Sequence, residues 1–260
     1  MLEWVLAICK EKGLRHFLIG GSALGAVRHG GFIPWDDDID LGMPRQDYEL
    51  FLTEAHRILP SHLSLVTQAN CPLHPHGFAK LRDSSTCFVE EHCALLPINH
   101  GIFIDIFPLD GVARFAFGRW IQIQTIRITI LALNWKRRAL TKSRSKVVGF
   151  LLGLFLSRKL ALRIQHGVAT LCDFDRAQVV ANWFGNWGVR EIVGRDVFGN
   201  GQRAPFETVE VVLPANVHAY LASLYDDYLT PPPPEKRKSH HSCVAFSAHE
   251  SYLMLWRHGE

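Results

Sequence analysis

The chain has 260 residues, 48% of them hydrophobic and 20% charged, with a formal net charge of +3. This balance excludes a disordered chain, and 20 Gly with 13 Pro exclude a fibrous or coiled-coil one. The six cysteines, at 9, 71, 87, 93, 172 and 243, are too sparse for a disulfide framework and read as reduced thiols.

Residues 2–14 read as a helix. Glu3 and Glu11 lie within it and no basic n-region precedes an apolar run, so it does not read as a signal peptide. Phe17 to Ile19 reads as a short buried strand stopped by Gly20-Gly21. Ser22 is placed to cap a helix to about His29, ended by Gly30-Gly31. Ile39 to Gly42 is a second short strand. Pro44 opens a helix to about Leu59, with Tyr48, Phe51, Leu52 and Ala55 inward. Leu63–Thr67, Phe78–Leu81, Thr86–Val89 and Ile102–Phe107 are strand-like. A helical region follows over 112–171. Beyond Asp173, Phe206–Leu213 is strand-like, Asn216–Leu224 helical and Pro231–Pro234 stiff and extended. Short strands alternating with helices predict an α/β or α+β fold with a mixed sheet.

The helical region has a charge signature of its own. No Asp or Glu lies between Asp110 and Asp173, while 12 of the 28 Lys and Arg do. Trp120, Trp135 and many Ile, Leu and Phe are interleaved with these cations. The pattern fits an anionic membrane surface, and an internal helical pair with a solvated basic face is the competing reading. Its apolar content is too high for a phosphate-tracking surface, so no nucleic acid is expected. The longest uncharged apolar run, Val147 to Ser157, is too short for a membrane span of roughly 20 residues.

The chemistry concentrates in Gly20 to Gly42. Asp38 and Asp40, two residues apart in extended chain, face the same side, and their carboxylates repel unless a cation neutralises them. A divalent ion does this, and phosphate oxygens complete its shell. Gly20, Gly21 and Ser22 then supply a turn that phosphate can approach closely, with Arg28 adding positive charge. Asp105 sits in the apolar strand 102–107, where an unpaired carboxylate is costly and metal ligation offsets that cost, so it is the expected third ligand. The competing reading of Asp105 is a buried acceptor of backbone hydrogen bonds. A calcium loop starting at Asp36 fails, because its sixth and twelfth positions are Leu41 and Asp47. No Walker A or dinucleotide fingerprint occurs.

Lys80 and Arg82 share one strand face and are expected to meet phosphate, or else to line a solvated edge. Cys71, His74, His76, Cys87, His92 and Cys93 match no strong zinc spacing. Trp35 is a base- or cation-stacking candidate, or a core aromatic that positions the acidic turn. Glu207, the Tyr225-Asp226-Asp227-Tyr228 stretch, and His240 and His241 are candidates for a substrate wall, with surface or tail roles as their alternatives.

Gly20-Gly21-Ser22-Ala23-Leu24-Gly25-Ala26-Val27-Arg28-His29-Gly30-Gly31-Phe32-Ile33-Pro34-Trp35-Asp36-Asp37-Asp38-Ile39-Asp40 resembles the signature of the LicD/fukutin-related family. Phe78 to Thr86 and Gly101 to Asp110 resemble its further motifs. Phe206-Glu207, Pro214 and Tyr225 to Tyr228 with the proline run resemble its ending. The similarity spans about residues 8–242. It implies a nucleotidyltransferase-like core over 1–111, a basic helical insertion over 112–172, and a C-terminal part, 173–260, completing the same domain. It implies a Mg²⁺- or Mn²⁺-dependent phosphotransferase with Asp38, Asp40 and Asp105 as ligands. Such an enzyme moves a phosphoalcohol such as phosphocholine from a CDP-linked donor to a glycan hydroxyl of a teichoic acid or lipopolysaccharide precursor. The expected location is cytoplasmic, peripheral on the inner membrane face. Nucleotidyl transfer from an NTP and a non-catalytic membrane or glycan adaptor are the alternatives.

Overall fold

The computed structural model describes residues 1–138, 156–239 and 241–255, with backbone alone at 134–138. Its strands are β1 (Phe17–Leu18), β2 (Asp40–Pro44), β3 (Leu63–Val66), β4 (Ala79–Asp83), β5 (Cys87–Glu90), β6 (Ile102–Gly111), β7 (Val179–Asn182), β8 (Ile192–Gly194), β9 (Gln202–Phe206), β10 (Val209–Leu213) and β11 (Cys243–Ser247). Its helices are α1 (Leu2–Lys12), α2 (Gly20–His29), α3 (Arg45–Arg57), α4 (Ala116–Arg138), α5 (Arg158–Ala169), α6 (Arg195–Phe198), α7 (Val217–Tyr225) and α8 (Tyr252–Leu255).

A seven-stranded mixed sheet runs β1-β2-β6-β4-β3, with β7 on β6 and β8 on β7. β2 and β6 are parallel; every other pair in this sheet is antiparallel. On the edge away from β2, the long strand β6 serves two partners in succession. Its first half pairs β4 as far as Ile106, and its second half pairs β7 from Leu109. Pro108, which lacks a donor N–H, falls between them, where a central strand tolerates proline.

The helices cover this sheet with their apolar positions. On α3, Tyr48, Phe51 and Ala55 recur at helical spacing and are buried, whereas Leu52 is only partly so. Phe51, with no exposed surface, contributes roughly 1.5–3 kcal/mol by burial alone. Arg45, at the start of α3, grips the fully buried Asp110 of β6 through two 2.7 Å bonds and ties helix to sheet.

Two sequence expectations need correction. The strand expected over Phe206–Leu213 is a hairpin of β9 and β10, turning at Glu207, whose φ is +52°. Ser22 does not cap α2. The helix starts at Gly20 after Ile19, which places Ser22 inside the first turn. The basic region contains α4 and α5, which pack antiparallel. Gln122 donates to the Val168 carbonyl at 3.2 Å, and Gln165 to Thr129 Oγ1 at 3.3 Å. Trp135, Lys136 to Arg138 as side chains, and most of the Val147–Ser157 run lie outside the described residues. Among the described residues, no helix is long and apolar enough to cross a membrane.

Candidate active site

Strand register builds the site. Asp40 opens β2 and stands directly opposite Asp105 on β6. Lys80 on β4 stands opposite Asp105 from the other side. Side chains of paired residues share a face, so one row reads Asp40, Asp105, Lys80. Asp38 enters from the loop before β2. Ligand oxygens of Asp38, Asp40 and Asp105 all lie within 4.8 Å of one another.

Charges this close disturb each other. Burial and then Asp38 and Asp105 push the Asp40 carboxyl well above the usual range. Burial lifts Asp105 to about 6, against the pull of Lys80. Asp36 is lifted to about 7, by burial and by Asp38. Three hard carboxylate donors that repel one another fit Mg²⁺ or Mn²⁺.

The glycine turn closes over these acids. Gly20 has φ +54°, which favours glycine, and a Cβ there would lie 2.8 Å from Asp40 Oδ2. A Cβ at Gly21 would collide with Asp36 Oδ2. The Gly20 N–H donates to the Tyr220 hydroxyl at 3.1 Å. Ser22 is buried, and its Oγ accepts the Asp40 N–H at 2.9 Å. Ser22 therefore pins the start of β2 to α2, and its expected place against phosphate is corrected to that of a brace.

Lys80 and Arg82 share a strand face, yet both are 1% exposed rather than on a solvated edge. Lys80 Nζ lies 3.1 Å from Asp105, 3.6 Å from Glu90 and 3.3 Å from the Phe103 ring centre. Arg82 donates to Glu90 and to the Gly101 carbonyl, each at 3.0 Å. Arg82 is thus occupied within the protein and does not line the cleft, which corrects its expected phosphate contact. Glu90 joins the network to the acidic triad through His241, whose Nδ1 is 3.2 Å from Glu90 and Nε2 2.9 Å from Asp38. Against its burial, Lys80, His241 and Arg82 hold Glu90 far below the usual carboxylate range. Against its own burial, Asp38 and Glu90 raise His241 to about 10.

Two chambers meet at this cluster and share Gly21, Asp38, Asp40, Asn186, Trp187 and His241. One, of about 440 Å³, is walled by His76, Phe78, His92, Asn182, Phe184 and Glu191. Glu191 is buried, accepts the Trp187 N–H at 2.9 Å, and is lifted by burial to about 7. The other, of about 750 Å³, is walled by Arg28, Trp35, Asp36, Tyr225, Tyr228 and Lys236. Arg28 donates to the Tyr228 carbonyl at 3.0 Å, and Arg28 and Arg237 lie 5.9 and 5.3 Å from the Trp35 ring.

Register and loop closure therefore bring together Gly20, Gly21, Arg28, Trp35, Asp38, Asp40, Lys80, Asp105 and His241. Glu207 lies outside both chambers. It sits at the β9–β10 turn, where its carboxylate accepts the Phe32 N–H at 2.9 Å and braces a loop, and it lines a separate opening of about 340 Å³ that reaches Asp38. His240 lies outside the described residues. Among the described residues, no group of candidate metal ligands contains a cysteine.

Glu90, Glu191, Asn186 and Lys236 were not anticipated from sequence. Glu90 carries the signal that marked Asp105, a carboxylate in an apolar run. The others stand in irregular stretches with no such mark.

The buried acids imply a pH dependence. A carboxyl raised in the fold takes up its proton there first, so stability grows as pH falls through the folded value. A raised histidine contributes fully below its ordinary 6.5 and loses that contribution as pH climbs towards about 10. Both signs agree. The metal-free protein is predicted to melt at a higher temperature at about pH 6 than at about pH 8, and Mg²⁺ is predicted to shrink the difference. Calorimetry showing melting temperature rising with pH in chelator would contradict the carboxylate cluster.

Residues 13–115 match the family described as LicD/FKTN/FKRP, nucleotidyltransferase domain. The lipopolysaccharide cholinephosphotransferase LicD of Haemophilus influenzae is 28% identical over 256 residues, 95% of this chain and 94% of its own. The ribitol 5-phosphate transferase FKRP of Homo sapiens and that of Mus musculus are each 50% identical over 45 residues, 17% of this chain and 9% of theirs.

Proposed function

We propose that this chain, whose residues 13–115 match the LicD/FKTN/FKRP nucleotidyltransferase domain, transfers a phosphoalcohol from a CDP-linked donor to a hydroxyl of a cell-surface glycan precursor. The observation that carries this reading is the direct pairing of Asp40 with Asp105, completed by Asp38, beside the Gly20-Gly21 turn. The similarity to a cholinephosphotransferase along nearly the whole chain supports the phosphoalcohol as the group moved.

Asp38, Asp40 and Asp105 would hold Mg²⁺ or Mn²⁺, which neutralises diphosphate charge and stabilises the leaving phosphate. Gly20 and Gly21 leave room for phosphate where any side chain would strike the acids. Lys80 stays buried behind Asp105 and fixes its orientation. Arg28 and Lys236 bring positive charge, and Trp35 and Tyr225 flat surfaces, to the larger chamber, which suits the nucleotide. The smaller chamber mixes imidazole, amide and aromatic groups, a lining suited to a polyhydroxylated acceptor. The acceptor hydroxyl gives its proton to a carboxylate of the cluster such as Asp105, its oxygen attacks the phosphorus bearing the alcohol, and the bond to the CMP oxygen breaks, so CMP leaves with the electron pair.

A donor screen tests this with CDP-choline, CDP-ribitol and the four nucleoside triphosphates, each with Mg²⁺ or with chelator. CMP release that requires the metal is expected. Pyrophosphate release from a triphosphate would replace the proposal with nucleotidyl transfer, and metal-independent silence with every donor would leave an adaptor.

A further inference from the structure

We infer that the outer face of the α4–α5 pair is a docking surface for an anionic lipid bilayer. This inference deepens the proposed function by naming where a lipid-linked acceptor would be met, but it stands on the surface of the helices and not on the chemistry of the cleft.

The inner faces of the two helices are spent on each other, through Ile126, Thr129, Leu133, Ala161 and Gln165. The outward residues of α4 should then be polar on a solvated helix. They are not. Phe117, Trp120, Ile121 and Ile128 recur along one side of α4, and all are exposed. Phe115 just before the helix is 76% exposed, Phe117 72% and Trp120 56%, and the Phe117 and Trp120 rings stack with centres 6.2 Å apart. Leu160 on α5 and Leu171 just beyond it are exposed as well. Large rings left mostly exposed along one side of a helix mark an interaction site.

Charge identifies the occupant. Arg114, just before α4, Arg127 on α4, and Lys159 and Arg163 on α5 are likewise exposed. No acid lies between Asp110 and Asp173 to neutralise them. A second copy of this face would bring cation against cation, and a nucleic acid would leave Phe115, Phe117 and Trp120 in water. A bilayer rich in anionic headgroups answers both features, because aromatic rings enter the headgroup boundary while Lys and Arg stay at the phosphates.

The test is flotation of the full chain with vesicles of pure phosphatidylcholine and of equimolar phosphatidylcholine and phosphatidylglycerol. Wild type is expected to float with the anionic vesicles only, and less so as salt rises. Phe117→Ser with Trp120→Ser, and separately Arg127→Gln with Lys159→Gln, are each expected to weaken this binding by about tenfold or more. Each variant is expected to keep the wild-type melting temperature and wild-type turnover of a soluble donor. Equal binding to both vesicle types, no binding to either, or binding unchanged by both variant pairs would overturn the inference. So would a dimer by light scattering that the Phe117/Trp120 pair dissolves, since a second copy would then be the occupant. Silence in the donor screen with intact vesicle binding would refute the proposed chemistry and leave this surface standing.

Discussion

Asp40→Asn is expected to lower turnover by about a thousandfold or more, because a lost metal ligand removes several kcal/mol of transition-state stabilisation. The same substitution is expected to leave the metal-free protein as stable as wild type, or more so. Asp40 is raised by burial and by Asp38, Asp105 and Asp36, so its charge opposes folding when no cation is present. Asparagine keeps the shape and removes that repulsion. Its backbone N–H still reaches Ser22, and its pairing with Asp105 across β2 and β6 is unchanged. Two measurements check this together. Turnover is followed with whichever donor of the screen is consumed, and melting is followed in chelator and in Mg²⁺. Wild type should be stabilised by the ion, as any ligand that binds only the fold stabilises it. The variant should lose most of that gain. A variant within about tenfold of wild-type turnover would remove Asp40 from the metal site.

Glu90→Gln is expected to cause the largest loss of stability, about 3–5 kcal/mol, because it strips the shared counter-charge from buried cations. Lys80 and Arg82 are both 1% exposed and both lean on this carboxylate. His241 leans on it as well, from the far end of the chain. A loss of this size is a large part of the 5–15 kcal/mol that holds a typical domain together. Denaturant unfolding in chelator measures it. Combining Glu90→Gln with Arg82→Met should recover part of the loss, since the stranded cation is then gone. A single-variant cost below about 1 kcal/mol would mean that water, rather than Glu90, satisfies these cations. The two substitutions thus separate the functions of neighbouring carboxylates. On these expectations Asp40 is costly to the empty fold and serves the chemistry, whereas Glu90 serves the fold itself.

Much of the site is local and could be read in the residues. Gly20, Gly21, Asp38 and Asp40 lie within one short stretch, and Asp105 stands out inside an apolar strand because a carboxylate there demands a reason. The i, i+2 relation of Lys80 and Arg82 correctly placed both on one face. It left open whether that face met phosphate or water, and the structure shows that it meets Glu90. Periodicity describes a strand and says nothing about what covers it. Glu90 and His241 are 151 residues apart, so their contact has no trace in local pattern. The same limit explains Glu207. An acid near a strand start carries no sign of the hairpin that turns there and sets one of its oxygens on the Phe32 N–H.

The sequence by itself determined the elements near the site, the acids that repel one another, and the concentration of cations between Asp110 and Asp173, because propensity, spacing and charge are properties of neighbouring residues. Tertiary structure alone decided which charges face solvent, which are neutralised inside, and which rings of α4 remain uncovered. Those outcomes depend on strand register and on distant segments packing together, and the free energy of a charge is set by whatever surrounds it in space.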